Sequence, residues 1–227
     1  TYADYRVQIL ENEFRGLLLK IDDSEVWTKL IGNFNAYNMI AIYGTADLLG
    51  LKKEESLQLI STLESVSGRF QYVISDEKIT AIVDYAHTPD ALKNVLETIN
   101  NIRTKNEELI TVVGCGGDRD KTKRPIMGNI ASTLSTKVII TSDNPRSEVP
   151  EAIINEIEAG VEPQNFKKVV SIVDRKQAIK TACQLAKPND IILIAGKGHE
   201  NYQEIKEERF DFDDFKIVKE LLKQLQK

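Results

Sequence analysis

The stretch ITAIVDYAHTPDAL, Ile79 to Leu92, decides the fold. Its first five residues are all apolar or β-branched and read as a strand buried on both faces; the polar loop after them gives way to a helix beginning near Pro89. Proline in a first helical turn sacrifices no hydrogen bond, because that N–H has no partner within the helix. The same succession of strand, loop and helix then repeats. Apolar runs at Leu109 to Val113, Val138 to Thr141, Val169 to Val173 and Ile191 to Ala195 alternate with helical stretches beginning near Pro125, Pro150 and Arg175. A terminal helix is expected from Asp213 to Gln226, where Phe215, Val218, Leu222 and Leu225 recur at helical spacing. Short, wholly apolar strands separated by helices specify an α/β fold: a Rossmann-like, mostly parallel sheet with helices on both faces.

Upstream the pattern differs. FRGLLLKI and EVWTKLI, joined by a DDS turn, read as two or three strands between Tyr5 and Leu30. A helix is expected from Ala36 to Leu49, stopped by Gly50, and KKEESLQLISTL continues as a second one. SGRF, Ser67 to Phe70, closes this segment, and a domain boundary is expected close to it. Trp27 and the phenylalanines of the tail are expected to be packing groups.

Composition agrees with this division. The chain has 227 residues, 41% hydrophobic and 29% charged, which suits one full globular domain with a partial companion. A net charge of −5 argues against a general nucleic-acid scaffold, although a local basic cluster can still hold a small anion. Two cysteines, Cys115 and Cys183, are too few for a disulfide framework and lack metal-ligand spacing. No apolar run approaches the ~20 residues that cross a bilayer. The chain opens on Thr1 without a secretory leader and reads as a piece of something longer in a reducing cytoplasmic setting.

In an open parallel sheet, ligands bind beyond the carboxyl ends of the strands, where loops and helix N-termini converge. The loops there are DYAHTPDAL, GCGGDRDKTKRP, SDNPRSEVP, DR and GKGHENY, and they hold both histidines, His87 and His199. Glycines at 114, 116 and 117 free the backbone to approach an anion, with Arg119, Lys121, Lys123 and Arg124 as cations beside it. Each loop has a plainer reading too. GCGGDRD also reads as a tight turn with a solvated charge pair, and DNPR as a helix-starting turn capped by Asp143 or Asn144. GKGHE also reads as an exposed glycine turn, and His87 as a hydrogen-bonded structural histidine. G-x-x-x-x-G-K-[ST], G-x-G-x-x-G, H-E-x-x-H and G-x-S-x-G are all absent.

Taken together, GNFNAYNMIAIYGTADLLG, SGRF, DYAHTPDAL, GCGGDRDKTKRPIMG, SDNPRSE and AGKGHENYQ occur in the order and spacing of the Mur ligases, and resemble the members that add diaminopimelate. The resemblance implies the end of a central ATPase domain over residues 1–69 and a C-terminal Rossmann-like amino-acid-binding domain over residues 70–227. The implied reaction is ATP-dependent addition of meso-diaminopimelate to the D-Glu of UDP-MurNAc-L-Ala-D-Glu through an acyl phosphate, by an enzyme that is a monomer at full length. It implies Arg119, Asp143, Asn144, Pro145, Arg146, Gly196 and Glu200 as diaminopimelate contacts. Arg146 would hold the second carboxylate, which lysine lacks. It further implies Asn38 against the adenine of ATP, Arg69 and Asp84 near the ribose and His87 near the phosphates, with ATP bridging two domains that close on it. The family's phosphate loop, Mg2+ ligands and carbamylated lysine are expected upstream of Thr1, leaving the segment inactive alone. A lysine-adding or folylpolyglutamate-type ligase shares the architecture but is not expected to carry DNPR. A non-catalytic amino-acid- or nucleotide-binding module is the alternative outside enzymes.

Overall fold

The computed structural model describes residues 3–227, which form two compact units, one through Ser65 and one from Val66 to Lys227. In the first unit, β1 (Val7–Glu13), β2 (Gly16–Ile21) and β3 (Ser24–Thr28) make an antiparallel sheet, followed by α1 (Phe34–Leu48) and α2 (Lys53–Thr62). Period-two alternation turns Leu17, Leu19, Ile21 and Val26 toward one face, where Met39 and Tyr43 of α1 and Ile60 of α2 complete a core. The same alternation corrects the reading of Trp27: its neighbours Val26 and Thr28 point inward, so the indole faces outward and is 37% exposed. Gly50 stops α1 with φ +85°, its N–H bonding Asp47 while that of Leu51 bonds Ala46.

The second unit begins with β4 (Gln71–Ile74), which pairs antiparallel with β5 (Thr80–Asp84). Then follow α3 (Pro89–Ile102), β6 (Leu109–Val113), α4 (Lys123–Leu134), β7 (Lys137–Ile140), α5 (Pro150–Glu158), β8 (Val169–Ser171), α6 (Arg175–Leu185) and β9 (Ile191–Ala195). A hairpin of β10 (Tyr202–Ile205) and β11 (Glu208–Asp211) precedes α7 (Asp214–Gln224). The six-stranded sheet has the order β4-β5-β9-β6-β7-β8, with every pair from β5 to β8 parallel. It is thus the expected mostly parallel α/β sheet.

Every residue of β6 and β9 is buried, because both faces of the sheet are covered. Ala178, Ile179, Ala182 and Cys183 of α6 and Val218 and Leu222 of α7 pack on Ala81, Val83, Ile110, Val112, Ile192 and Ile194. On the other side α3 packs on α4 and α4 on α5, with α4 and α5 against β7. Right-handed crossovers explain the division of helices. The chain moves one way across the sheet through β5, β6, β7 and β8, then returns through α6 to insert β9 between β5 and β6. The loop after β9 therefore lies at the topological switch point, flanked by the loops after β5 and β6. In the tail, Phe212 and Phe215 pack against the core as expected, whereas Phe210 on the uncovered hairpin is half exposed. Among the described residues no helix is long and apolar enough to cross a membrane.

Candidate functional site

The loops after β5, β6, β7 and β9 enclose a cleft of about 600 Å³. Tyr85, His87, Gly116, Arg119, Asp143, Asn144, Arg146, Gly196 and Glu200 line it, together with Lys123 and Tyr202. Six of the seven residues named as amino-acid contacts thus share one cavity wall or floor; Pro145, buried between Asn144 and Arg146, supports them from behind.

Close backbone packing builds the floor. Gly117 donates its N–H to the Asn144 carbonyl at 2.9 Å, and a Cβ on Gly117 would come within 2.0 Å of the Pro145 carbonyl oxygen. Gly196 sits at φ +118°, where a Cβ would lie 2.5 Å from an Asp143 carboxylate oxygen. Neither Asp143 nor Asn144 caps α5, whose preceding residue is Val149, so the capping reading of DNPR does not hold. The Asp118 carboxylate instead accepts from the N–H and hydroxyl of Ser147, which holds its pKa below the usual carboxylate range. A bond between two loops thus takes the place of the charge pair expected within GCGGDRD.

Arg146 occupies the left-handed region at φ 50°, a strained conformation fixed from both sides. Its N–H donates to the Glu204 carbonyl and its carbonyl accepts from Lys206, tying the loop to β10. The guanidinium donates through Nη1 to the Gly117 carbonyl at 2.7 Å and through Nε to Glu204 at 3.2 Å. Nη2 is left over, directed by two anchors. Arg119 is exposed on the cleft and, among the described residues, makes no hydrogen bond or ion pair.

Two of the four cations read beside the glycine loop are consumed structurally. Arg124 is fully buried, pairing with Glu148 and Glu156 and donating to the Gly116 carbonyl at 3.1 Å. Lys121 pairs with Glu148 at 3.1 Å. Lys123 remains at the cleft, its ammonium donating to the His87 carbonyl.

Lys197, unassigned by the sequence reading, is completely buried behind the cleft. Its Nζ donates to Asn144 Oδ1 at 2.8 Å and lies 3.5 Å from Asp143 and 3.4 Å from Glu200. Arg175 is also fully buried, bidentate to Asp214 at 2.9 and 2.7 Å, and reaches the carbonyls of Ala195 and Ser142 at the ends of two loops. The sequence signal for Lys197 was a lysine between two glycines after a wholly apolar strand, and that for Arg175 was its place in the short DR loop at the same sheet edge.

Three of the nucleotide candidates gather around Tyr85. The Arg69 guanidinium lies 4.9 Å over its ring and the His87 ring 4.5 Å from it. His87 Nδ1 is 2.8 Å from the Tyr85 carbonyl. Half-buried Asp84 accepts from the Phe70 N–H at 2.7 Å; burial raises its pKa, partly offset by that N–H and by Arg69. Gly68, at φ +68°, meets the Gly198–His199 backbone so closely that a Cβ would be 2.0 Å from the His199 nitrogen. Asn38 belongs to the other unit, exposed on α1 and donating to Asn35 at 2.9 Å. Among the described residues, no group of three or more His, Cys, Asp or Glu could hold a metal.

Residues 68–198, which include the glycine and DNPR loops, match a family model described as the Mur ligase, glutamate ligase domain. The chain belongs to the Mur ligase family. It is 56% identical over 225 residues to the UDP-N-acetylmuramoyl-L-alanyl-D-glutamate–2,6-diaminopimelate ligase of Cytophaga hutchinsonii, covering 99% of this chain and 46% of the relative. The ligase of the same name from Bacteroides thetaiotaomicron is 52% identical over 219 residues, covering 96% of this chain and 45% of its own. A solved structure of a ligase of that name superimposes with a TM-score of 0.75 at 38% identity, covering all of this chain and 47% of the other. Folylpolyglutamate synthase from Thermotoga maritima, at 17% identity and TM-score 0.67 over 85% of this chain and 44% of its own, shares the fold. This Mur ligase chain spans about half the length of the curated relatives it matches.

Proposed function

We propose that the chain forms the amino-acid-binding part, and some of the nucleotide-binding part, of a cytoplasmic ATP-dependent ligase. That ligase joins meso-diaminopimelate to the D-glutamate of UDP-MurNAc-L-Ala-D-Glu. The names of its relatives support this reading, and one observation carries it. The cleft sets two guanidinium groups with donors to spare, Arg119 and Arg146, against the acidic pair Asp143 and Glu200. A doubly zwitterionic amino acid offers carboxylates to the first and an ammonium group to the second.

In the proposed reaction the γ-phosphoryl group of ATP passes to a carboxylate oxygen of the D-glutamate side chain, leaving ADP. A diaminopimelate ammonium gives up a proton to solvent and the neutral amine attacks the carbonyl carbon; the tetrahedral intermediate loses a second proton from nitrogen to solvent and collapses as the C–O bond breaks, releasing inorganic phosphate and leaving the amide. These residues contribute orientation, which turns a meeting of separate charged molecules into an effectively intramolecular step. Arg146, held by Gly117 and Glu204, fixes one carboxylate, and Glu200, oriented by the Asn144 amide, presents an acceptor to ammonium. Arg69 and Asp84 are assigned to the ribose, His87 to the phosphates and Asn38 to the adenine. The described residues do not fit Mg2+: they form no metal-holding group, and Asp143 and Glu200 already face Lys197. No step is therefore assigned to the ion here.

Calorimetric titration of the chain with meso-diaminopimelate and with L-lysine tests the reading. Diaminopimelate binds more tightly, and Arg146→Ala weakens it roughly 10- to 100-fold, the worth of one or two charge-assisted hydrogen bonds. Equal affinity for lysine overturns the specificity.

A further inference from the structure

Lys197 makes contact with three of the residues assigned to the amino acid while being closed off from solvent itself. An ammonium has three protons and accepts nothing. Here three acceptors surround it: Asn144 Oδ1, an Asp143 oxygen and a Glu200 oxygen, with the Tyr202 ring 5.6 Å away. Asn144 is thereby fixed in one orientation. Its Oδ1 faces two donors, Lys197 Nζ at 2.8 Å and the Glu204 N–H at 2.9 Å, and its Nδ2 donates to Glu200 at 2.8 Å. Reversing the amide would set NH2 against both donors.

Charge counting points the same way. Asp143 and Glu200 together carry two negative charges, and Lys197 between them cancels one. A wall of one net negative charge matches a single ammonium. Without Lys197 the wall would carry two, which favours a dication over the zwitterionic end of an amino acid, whose own carboxylate it would repel.

Resting on the proposed reading of this cleft, we infer that Lys197 is a positioning residue. It sets the acidic wall to one net charge and locks the Asn144 amide, thereby selecting an amino-acid end over a bare amine. It acts from behind Asn144 and Glu200 and does not itself touch the ligand.

The test is an NMR titration of the isotope-labelled chain, which reads millimolar binding, with two probes: meso-diaminopimelate and the carboxylate-free diamine 1,5-diaminopentane. Lys197→Met keeps the length and removes the charge; Lys197→Arg keeps the charge. In Lys197→Met, diaminopimelate affinity falls about tenfold or more, the worth of a charge-assisted contact. The diamine's affinity holds or rises, and Lys197→Arg retains more diaminopimelate binding than Lys197→Met. Parallel loss of both probes in Lys197→Met gives Lys197 a merely structural role and overturns the inference, as does no change in either. If the unsubstituted chain does not bind diaminopimelate, the reading of the cleft falls first and this inference with it.

Discussion

Glu148 joins three parts of the β6 and β7 loops: it accepts from Arg124 at 2.9 and 3.0 Å, from the Asp118 N–H at 2.7 Å and from Lys121. Those donors, Arg124 foremost, hold its pKa down to about 2. An unfolded glutamate titrates near 4.3, so the interaction is complete above about pH 5 and is lost as pH falls toward 2. Glu148→Gln should therefore cost about 2 kcal/mol at pH 7, Arg124 keeping Glu156 as a partner, and the gap from the parent should narrow steadily on acidification. Urea unfolding of both proteins at pH 7, 4 and 3 checks it; a gap that is independent of pH contradicts it. At this scale the sequence was only partly legible. Arg119 and Arg124 stand five residues apart in one stretch, yet one is exposed and the other buried. Glu148 and Glu156, which consume the second, lie 24 and 32 residues downstream, beyond any local pattern.

Among the elements, α6 and α7 are coupled by the Arg175–Asp214 pair, buried on both sides. Arg175 also holds the carbonyls at which β9 ends and the β7 loop begins to turn, so the pair fixes loops as well as helices. Removing one partner strands a buried charge, at a cost of about 3–5 kcal/mol, whereas replacing both by apolar residues can be nearly neutral. Arg175→Met should thus destabilise strongly and Arg175→Met with Asp214→Leu much less, measured by denaturant midpoints. Single and double variants of equal stability would show that the charges are not coupled. Elements whose burial repeats locally were readable: β5, β6 and β9 as apolar runs, α3 and α5 from their initial prolines. The β10–β11 hairpin was missed because YQEI and ERFD bury no face, and its turn uses Lys206 and Glu207 at positive φ in place of the usual Asn-Gly. β4 was missed because its four residues are at most half-buried at a sheet edge.

For the molecule as a whole, the unit from Val66 to Lys227 has its own sheet, a covered core on each face and every residue of the cleft. Expressed alone, residues 66–227 should unfold in one cooperative transition, with calorimetric and van't Hoff enthalpies in agreement. A broad, non-cooperative transition would show that the unit depends on residues outside it. Cleft architecture was legible at this scale because parallel strands commit their loops to one edge. Strand order was not, since the position of β9 depends on pairings remote in sequence.

That position has a consequence for biosynthesis. Ile191 of β9 pairs with both Thr80 of β5 and Leu109 of β6, so the strand that unites the sheet is among the last to be made. A ribosome emits β5, β6, β7 and β8 with the central slot open, leaving two apolar strand edges that only β9 can satisfy. Until the residues beyond Pro188 emerge, those edges stay open to pairing with each other or with neighbouring chains. Any premature stop between β8 and β9 would release not a weaker ligase segment but two unjoined half-sheets.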